Sequence, residues 1–132
     1  MYVDPMIAVA DVEKSSAWYQ KLLGCRSGHG GPHFEMLAHG SNILLMLHRQ
    51  DADEHEFLRS VDGSALGRGV VLYFNVDSAD EIGAVRARAD ELGAQVVAEA
   101  HTNELAGQIE LELRDPDGYF ITVCYRAEPM LS

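Results

Sequence analysis

The chain has 132 residues, 47% of them apolar, and a formal net charge of −11. That length suits one ordinary domain, or two very small ones packed together, with enough apolar side chain for a core. So acidic a chain offers no basic patch to a nucleic-acid backbone; it favours solubility and, at a binding site, cationic over anionic small molecules.

Cys25 and Cys124 lie far apart with no metal or redox spacing, and read as small buried hydrophobes of a reducing compartment, although one disulfide between them stays open. The first residues show no charged-then-apolar leader, and no apolar run approaches the roughly 18 residues of a membrane span. The expectation is a cytoplasmic protein with no membrane contact.

Pro5–Ala10 reads as a short strand. Asp11 then caps a helix whose apolar positions Val12, Ala17, Trp18, Tyr19, Leu22 and Leu23 recur at helical spacing down to Gly24. Cys25–Gly31 is either a weak strand or a loop. Pro32–Ala38 and Asn42–Arg49 read as strands joined at His39-Gly40-Ser41. Residues 51–68 form a polar, acidic connection, read as a loop or short helix over Gln50–Ser64. The same programme then restarts: a strand at Val70–Val76, a helix capped by Asp77 or Ser78 with an Ile82, Val85, Ala89, Leu92 stripe ending at Gly93, a strand at Gln95–Ala100, and a loop over His101–Gly107.

Two last strands, Ile109–Arg114 and Tyr119–Arg126, are joined by Asp115-Pro116-Asp117-Gly118. Pro116 presets the first central position of a type I turn, and Gly118 takes the left-handed conformation that closes a bulged hairpin. That turn sets Leu113 against Ile121 and Leu111 against Val123, an apolar face for the second helix. Glu110, Glu112, Arg114, Phe120, Thr122 and Cys124 fall on the opposite face.

Each half therefore reads β-α-β-β-β, about 1–50 and 69–132. The expected fold class is α+β: two such modules in one domain, forming a curved, partly closed mixed sheet around a cavity, helices outside. A sheet with one helix on one face leaves the other face uncovered, and pockets form readily in curved sheets.

Met6-Ile7-Ala8-Val9-Ala10-Asp11-Val12-Glu13-Lys14-Ser15, followed by Trp18-Tyr19 and Leu22-Leu23-Gly24, resembles the opening of the vicinal oxygen chelate superfamily. That superfamily includes glyoxalases, extradiol dioxygenases, fosfomycin-resistance enzymes and bleomycin-resistance proteins. Asp115-Pro116-Asp117-Gly118 with its alternating strand resembles the superfamily's closing signature, so the likeness spans nearly the whole chain. It implies paired βαβββ modules around a cavity, often completed by a homodimer. It also implies a divalent metal held from the first and last strands of each module. Carried over, those positions fall on Asp4, Val71, Thr122 and the neighbourhood of Met46, with His48 two residues on. Val71 cannot ligate, Met46 is a soft thioether and Thr122 a weak neutral donor. The reading is therefore that the usual metal site is absent and that no cofactor is bound.

The six histidines match no compact ligand motif; His29, His33, His39, His55 and His101 read as loop or turn residues, and His48 shares a strand face with Met46. Glu110 and Glu112 project side by side from one strand, placed either to bind a cationic ligand or to face water beside Arg114. No phosphate loop or nucleophile motif is present. Two functions remain. One is a metal-free small-molecule binding protein of bleomycin-resistance character, its acidic cavity lined by Phe34, Met36, Met46, His48, Tyr73, Asn75, Glu110, Glu112 and Thr122. The other is a metal-dependent lyase, isomerase or dioxygenase with an atypical site built from Asp4, a histidine such as His48, and Glu112.

Overall fold

The computed structural model describes residues 2–51 and 70–128. The chain divides into two compact units, Met1–Arg68 and Gly69–Ser132. The acidic connection expected over Gln50–Ser64 lies, apart from Gln50 and Asp51, outside the described residues, as does His55.

In the first unit, β1 (Met6–Val9) leads into α1 (Val12–Leu23), then β2 (Arg26–Ser27), β3 (Phe34–His39) and β4 (Asn42–Arg49). The Asp11 side chain accepts from the Lys14 N–H at 3.0 Å, supplying one of the acceptors that a helix start lacks, and the helix stops at Gly24. The sheet order is β1-β4-β3-β2, with β1 parallel to β4 and the other pairs antiparallel. Val12, Trp18, Tyr19 and Leu22 of α1 pack with Leu37, Leu45 and Leu47 as the core of this unit. Each large apolar side chain so buried contributes about 1.5–3 kcal/mol. Ala17, expected on the inner stripe, is exposed; Ser15 and Ser16 are buried instead. The reason is polar, because Ser16 reaches a buried carboxylate on β3.

The second unit repeats the plan: β5 (Val71–Asn75), α2 (Ala79–Leu92), β6 (Gln95–Asn103), β7 (Gln108–Arg114) and β8 (Phe120–Tyr125). Its sheet order is β5-β8-β7-β6, again with a single parallel pair. Ser78 caps α2, and Ile82, Val85 and Ala89 are its buried face. They lie over Leu111, Leu113, Ile121 and Val123, all fully buried, so the register expected from the turn is the one observed. In that turn the Asp115 carboxylate accepts from the N–H groups of Asp117 at 2.9 Å and Tyr119 at 2.8 Å, and Gly118 sits at φ 91°. Only glycine takes that conformation without Cβ strain.

One element differs from the sequence reading. β6 runs to Asn103, three residues beyond Ala100, and so takes in the first three residues of the expected loop, His101 among them. Two register shifts against β7, between Val96 and Ala98 and between Ala98 and His101, interrupt the alternation by which a strand is recognised. Arg86 of α2 forks onto Glu99 of β6 at 2.8 Å through both Nε and Nη2, tying this bulged strand to the helix.

Each sheet is mixed and four-stranded, and neither closes into a barrel. Among the described residues no helix is long and apolar enough to cross a membrane. Cys25 and Cys124 are both buried free thiols.

Candidate functional site

In the first unit, pairing sets Phe34 opposite His48 and Met36 opposite Met46, on the sheet face turned away from α1. Met6 and Ala8 of β1 join that face beside Met46 and His48. The four expected residues are thus brought together. His48 is 5% exposed, with Nδ1 3.0 Å from the Arg49 carbonyl and its ring edge-on to Phe34. The face is apolar and half-buried, and it carries no carboxylate.

The carboxylate of this unit lies on the other side of the sheet. Glu35 is 2% exposed and accepts from Ser16 Oγ (2.9 Å), Ser27 Oγ (2.7 Å) and the N–H groups of His29 (3.0 Å), Gly30 (2.9 Å) and Met36 (2.9 Å). Burial pushes its pKa up, but the hydrogen bonds from Ser27, Gly30, His29 and Ser16 outweigh burial and hold it at about 2. Five donors on two oxygens leave no room for a ligand, so Glu35 serves the fold. Gly28 closes the same loop: its N–H donates to the Met36 carbonyl at 2.7 Å, and a Cβ there would lie 2.9 Å from that oxygen.

In the second unit, β5, β8 and β7 bring Tyr73, Thr122 and Glu112 into one row and Asn75, Cys124 and Glu110 into the next. All five residues expected from this half therefore share the face opposite α2. Tyr73, Asn75 and Glu110 line a cavity of about 350 Å³ together with Asn103, Gln108 and Arg126. Glu112 and Thr122 share the face but not the cavity wall. Cys124 also lines the cavity and donates to Asn75 Oδ1 at 3.0 Å. Burial pushes its thiol pKa up, so the sulfur stays protonated and acts as a donor.

Glu110 is 4% exposed, and its Oε2 accepts from the side-chain amides of Gln108 and of Asn103, the latter at 3.2 Å. The Gln108 carbonyl in turn accepts from the Arg126 guanidinium, whose buried Nε finds no partner among the described residues. The cavity therefore presents a carboxylate, three amides, a phenol and a guanidinium with an unused donor. To the acidic cavity expected from the sequence this adds a guanidinium and two further amides.

Sequence reasoning missed Asn103, Gln108 and Arg126 as cavity residues, and it dismissed His101 as a loop residue. Gln108 precedes Glu110 by two positions and Arg126 follows Cys124 by two, so alternation alone extends the set to both. Asn103 and His101 carried no such signal, because the bulges of β6 break the count.

A second hollow of about 470 Å³ in the first unit is lined by Tyr2, Val3, Asp4, Ser41, Asn42 and Ile43. It is larger, yet Tyr2 and Val3 are almost fully exposed and Asp4 is its sole charge.

The positions at which a metal would be held by family likeness do not form a donor set here. Val71 is an exposed hydrocarbon on β5, Thr122 is buried and neutral, Met46 is a thioether, and Asp4 lines that other hollow. One carboxylate with such neighbours does not hold a divalent ion.

Solved structures share the fold. A glyoxalase-related enzyme from Fulvimarina pelagi aligns with a TM-score of 0.78 at 17% identity, covering 96% of this chain and 88% of its own. A glyoxalase/bleomycin resistance protein/dioxygenase family enzyme from Burkholderia phytofirmans PsJN aligns at 0.76 and 20% identity, covering 93% and 98%. Hypothetical protein SA1046 from S. aureus aligns at 0.76 and 18% identity, covering 95% and 93%. No curated protein matches the chain. The family model matches residues 3–123, both units included, and by that match the chain belongs to the Glyoxalase/Bleomycin resistance protein/Dioxygenase superfamily.

Proposed function

We propose that this family member binds a small polar organic molecule in the cavity on the open face of the second unit, holding it rather than transforming it. The observation that carries the proposal is the lining of the cavity. Glu110 offers a buried negative charge, and Arg126, Asn75, Asn103 and Gln108 offer donors and acceptors around it. A ligand with a cationic or N–H group for Glu110 and an acceptor for the free Arg126 Nε matches both ends. Binding as the function is supported by chemistry: the family's metal positions hold a poor donor set, and the cavity thiol is a protonated donor rather than a nucleophile. A small-molecule partner, with a second copy of the chain as the expected assembly, completes the proposal.

Thermal shift against a panel of small organic cations, amides and zwitterions tests it. At one hundred times its Kd, a ligand stabilises the folded chain by about 2.7 kcal/mol. The expected result is a hit among amide-bearing cations or zwitterions whose shift shrinks in Glu110→Gln and in Arg126→Gln and falls with added salt. A panel without a hit, or hits indifferent to both substitutions, would remove the proposal.

A further inference from the structure

The open face of the second unit carries a donor set distinct from the family's metal positions. His101 on β6 pairs with Glu110 on β7, and Glu112 follows two residues on, so both carboxylates project from one face. A ring nitrogen of His101 and one oxygen from each glutamate lie within 4.8 Å of one another. Ligands about 2.1 Å from a shared ion stand about 3–3.5 Å apart, so small side-chain rotations bring the three into range.

Two of the donors are already oriented. His101 Nδ1 lies 2.9 Å from the Glu99 carbonyl. A carbonyl can only accept, so in the neutral ring the proton sits on Nδ1 and the lone pair of Nε2 faces the carboxylates. Glu99 is itself anchored by Arg86. The amides of Gln108 and Asn103 occupy Oε2 of Glu110, while Oε1 points to His101 Nε2 at 3.9 Å.

Charge supplies a separate reason. Glu110 is 4% exposed, yet among the described residues no lysine or arginine forms an ion pair with it; its fixed partners are neutral amides. Glu112, half-buried two residues away on the same face, is a second carboxylate that forms no ion pair among the described residues. A nearly buried carboxylate whose hydrogen-bond partners are neutral amides is costly, and a bound cation would offset that cost.

We infer that His101, Glu110 and Glu112 bind a divalent transition-metal ion. One imidazole with two carboxylates suits a borderline ion such as Zn²⁺, Co²⁺, Mn²⁺ or Fe²⁺. Three protein donors leave coordination positions open, and Glu110 places the ion at the wall of the cavity. The inference does not depend on any organic ligand occupying that cavity.

The test is titration of chelator-stripped full-length protein with Zn²⁺ by calorimetry and with Co²⁺ by visible absorption, with no organic ligand present. Wild type binds one ion per chain. Glu112→Gln and His101→Gln, both at partly exposed positions and with far-UV circular dichroism as the folding control, each weaken binding by at least tenfold. Even loss of a ligand's orienting partner costs 10–100-fold. Asp4→Asn leaves the affinity unchanged. No stoichiometric binding, binding intact in both variants, or a thiolate-to-cobalt band assigning the ion to Cys124 overturns the inference. Its failure would leave the panel result on organic ligands standing, so the two readings fall separately.

Discussion

Each unit buries one glutamate in its sheet, and the two glutamates are treated in opposite ways. Glu35 faces the helix side of its sheet and is saturated by two hydroxyls and three backbone N–H groups. Glu110 faces the open side, takes amide donors on one oxygen and leaves the other towards His101. Both are almost fully buried, at 2% and 4% exposure, so burial alone does not separate a saturated carboxylate from one with an open acceptor. The distinction lies in how many acceptor positions the protein has already filled. A filled carboxylate stores stability; a half-filled one has capacity to spend on a ligand.

The largest expected effect breaks this contrast directly. Glu35→Ala strands five donors at a buried site and is expected to cost about 3–5 kcal/mol, the range for removing one partner of a buried charged network. Glu110→Gln keeps the shape and one acceptor while removing a buried charge, and is expected to stay within about 1 kcal/mol of the parent. Urea unfolding followed by circular dichroism compares the two. Equal losses would mean that Glu110 is a structural residue as well.

The same contrast appears in acid. The folded-state pKa of Glu35, about 2, lies below its ordinary value of 4.5, so its stabilisation is fully present above pH 4.5 and is lost as pH falls towards 2. A shift of that size corresponds to roughly 3 kcal/mol. Unfolding free energies measured from pH 5 to pH 2 are expected to fall by that amount in the wild type. Glu35→Gln is expected to show a flatter profile across the same window. Parallel profiles would assign the acid sensitivity to other carboxylates.

Much of this was legible in the chain. The Asp115–Gly118 turn fixed the β7–β8 register, and with it the separation of Leu111, Leu113, Ile121 and Val123 from Glu110, Glu112 and Thr122. Period-two alternation likewise grouped Phe34, Met36, Met46 and His48. What escaped was whatever depends on contact across elements or on broken periodicity. Glu35 sits among apolar neighbours on β3, and only the arrival of Ser16 from α1 shows why a carboxylate is tolerated there. His101 escaped because two bulges carry β6 out of step before reaching it. The cavity's guanidinium escaped because net charge describes the whole chain and not one wall of a pocket. Likeness to the family supplied the topology, but the family's metal positions pointed away from the donors that converge here.

The smallest effect compares how the two helices begin. Asp11 caps α1 by accepting from Lys14 N at 3.0 Å, whereas Ser78 caps α2 by accepting from Glu81 N at 3.3 Å. The aspartate also sets a negative charge against the positive end of the helix dipole, which the serine does not. Alanine at a capping position costs about 1 kcal/mol, and loss of the charge adds a few tenths at low salt. Asp11→Ala is therefore expected to destabilise slightly more than Ser78→Ala in dilute buffer, with the gap closing at 1 M salt. A gap that survives high salt would place the difference in hydrogen-bond geometry, since screening removes the dipole contribution but leaves the 3.0 Å and 3.3 Å contacts as they are.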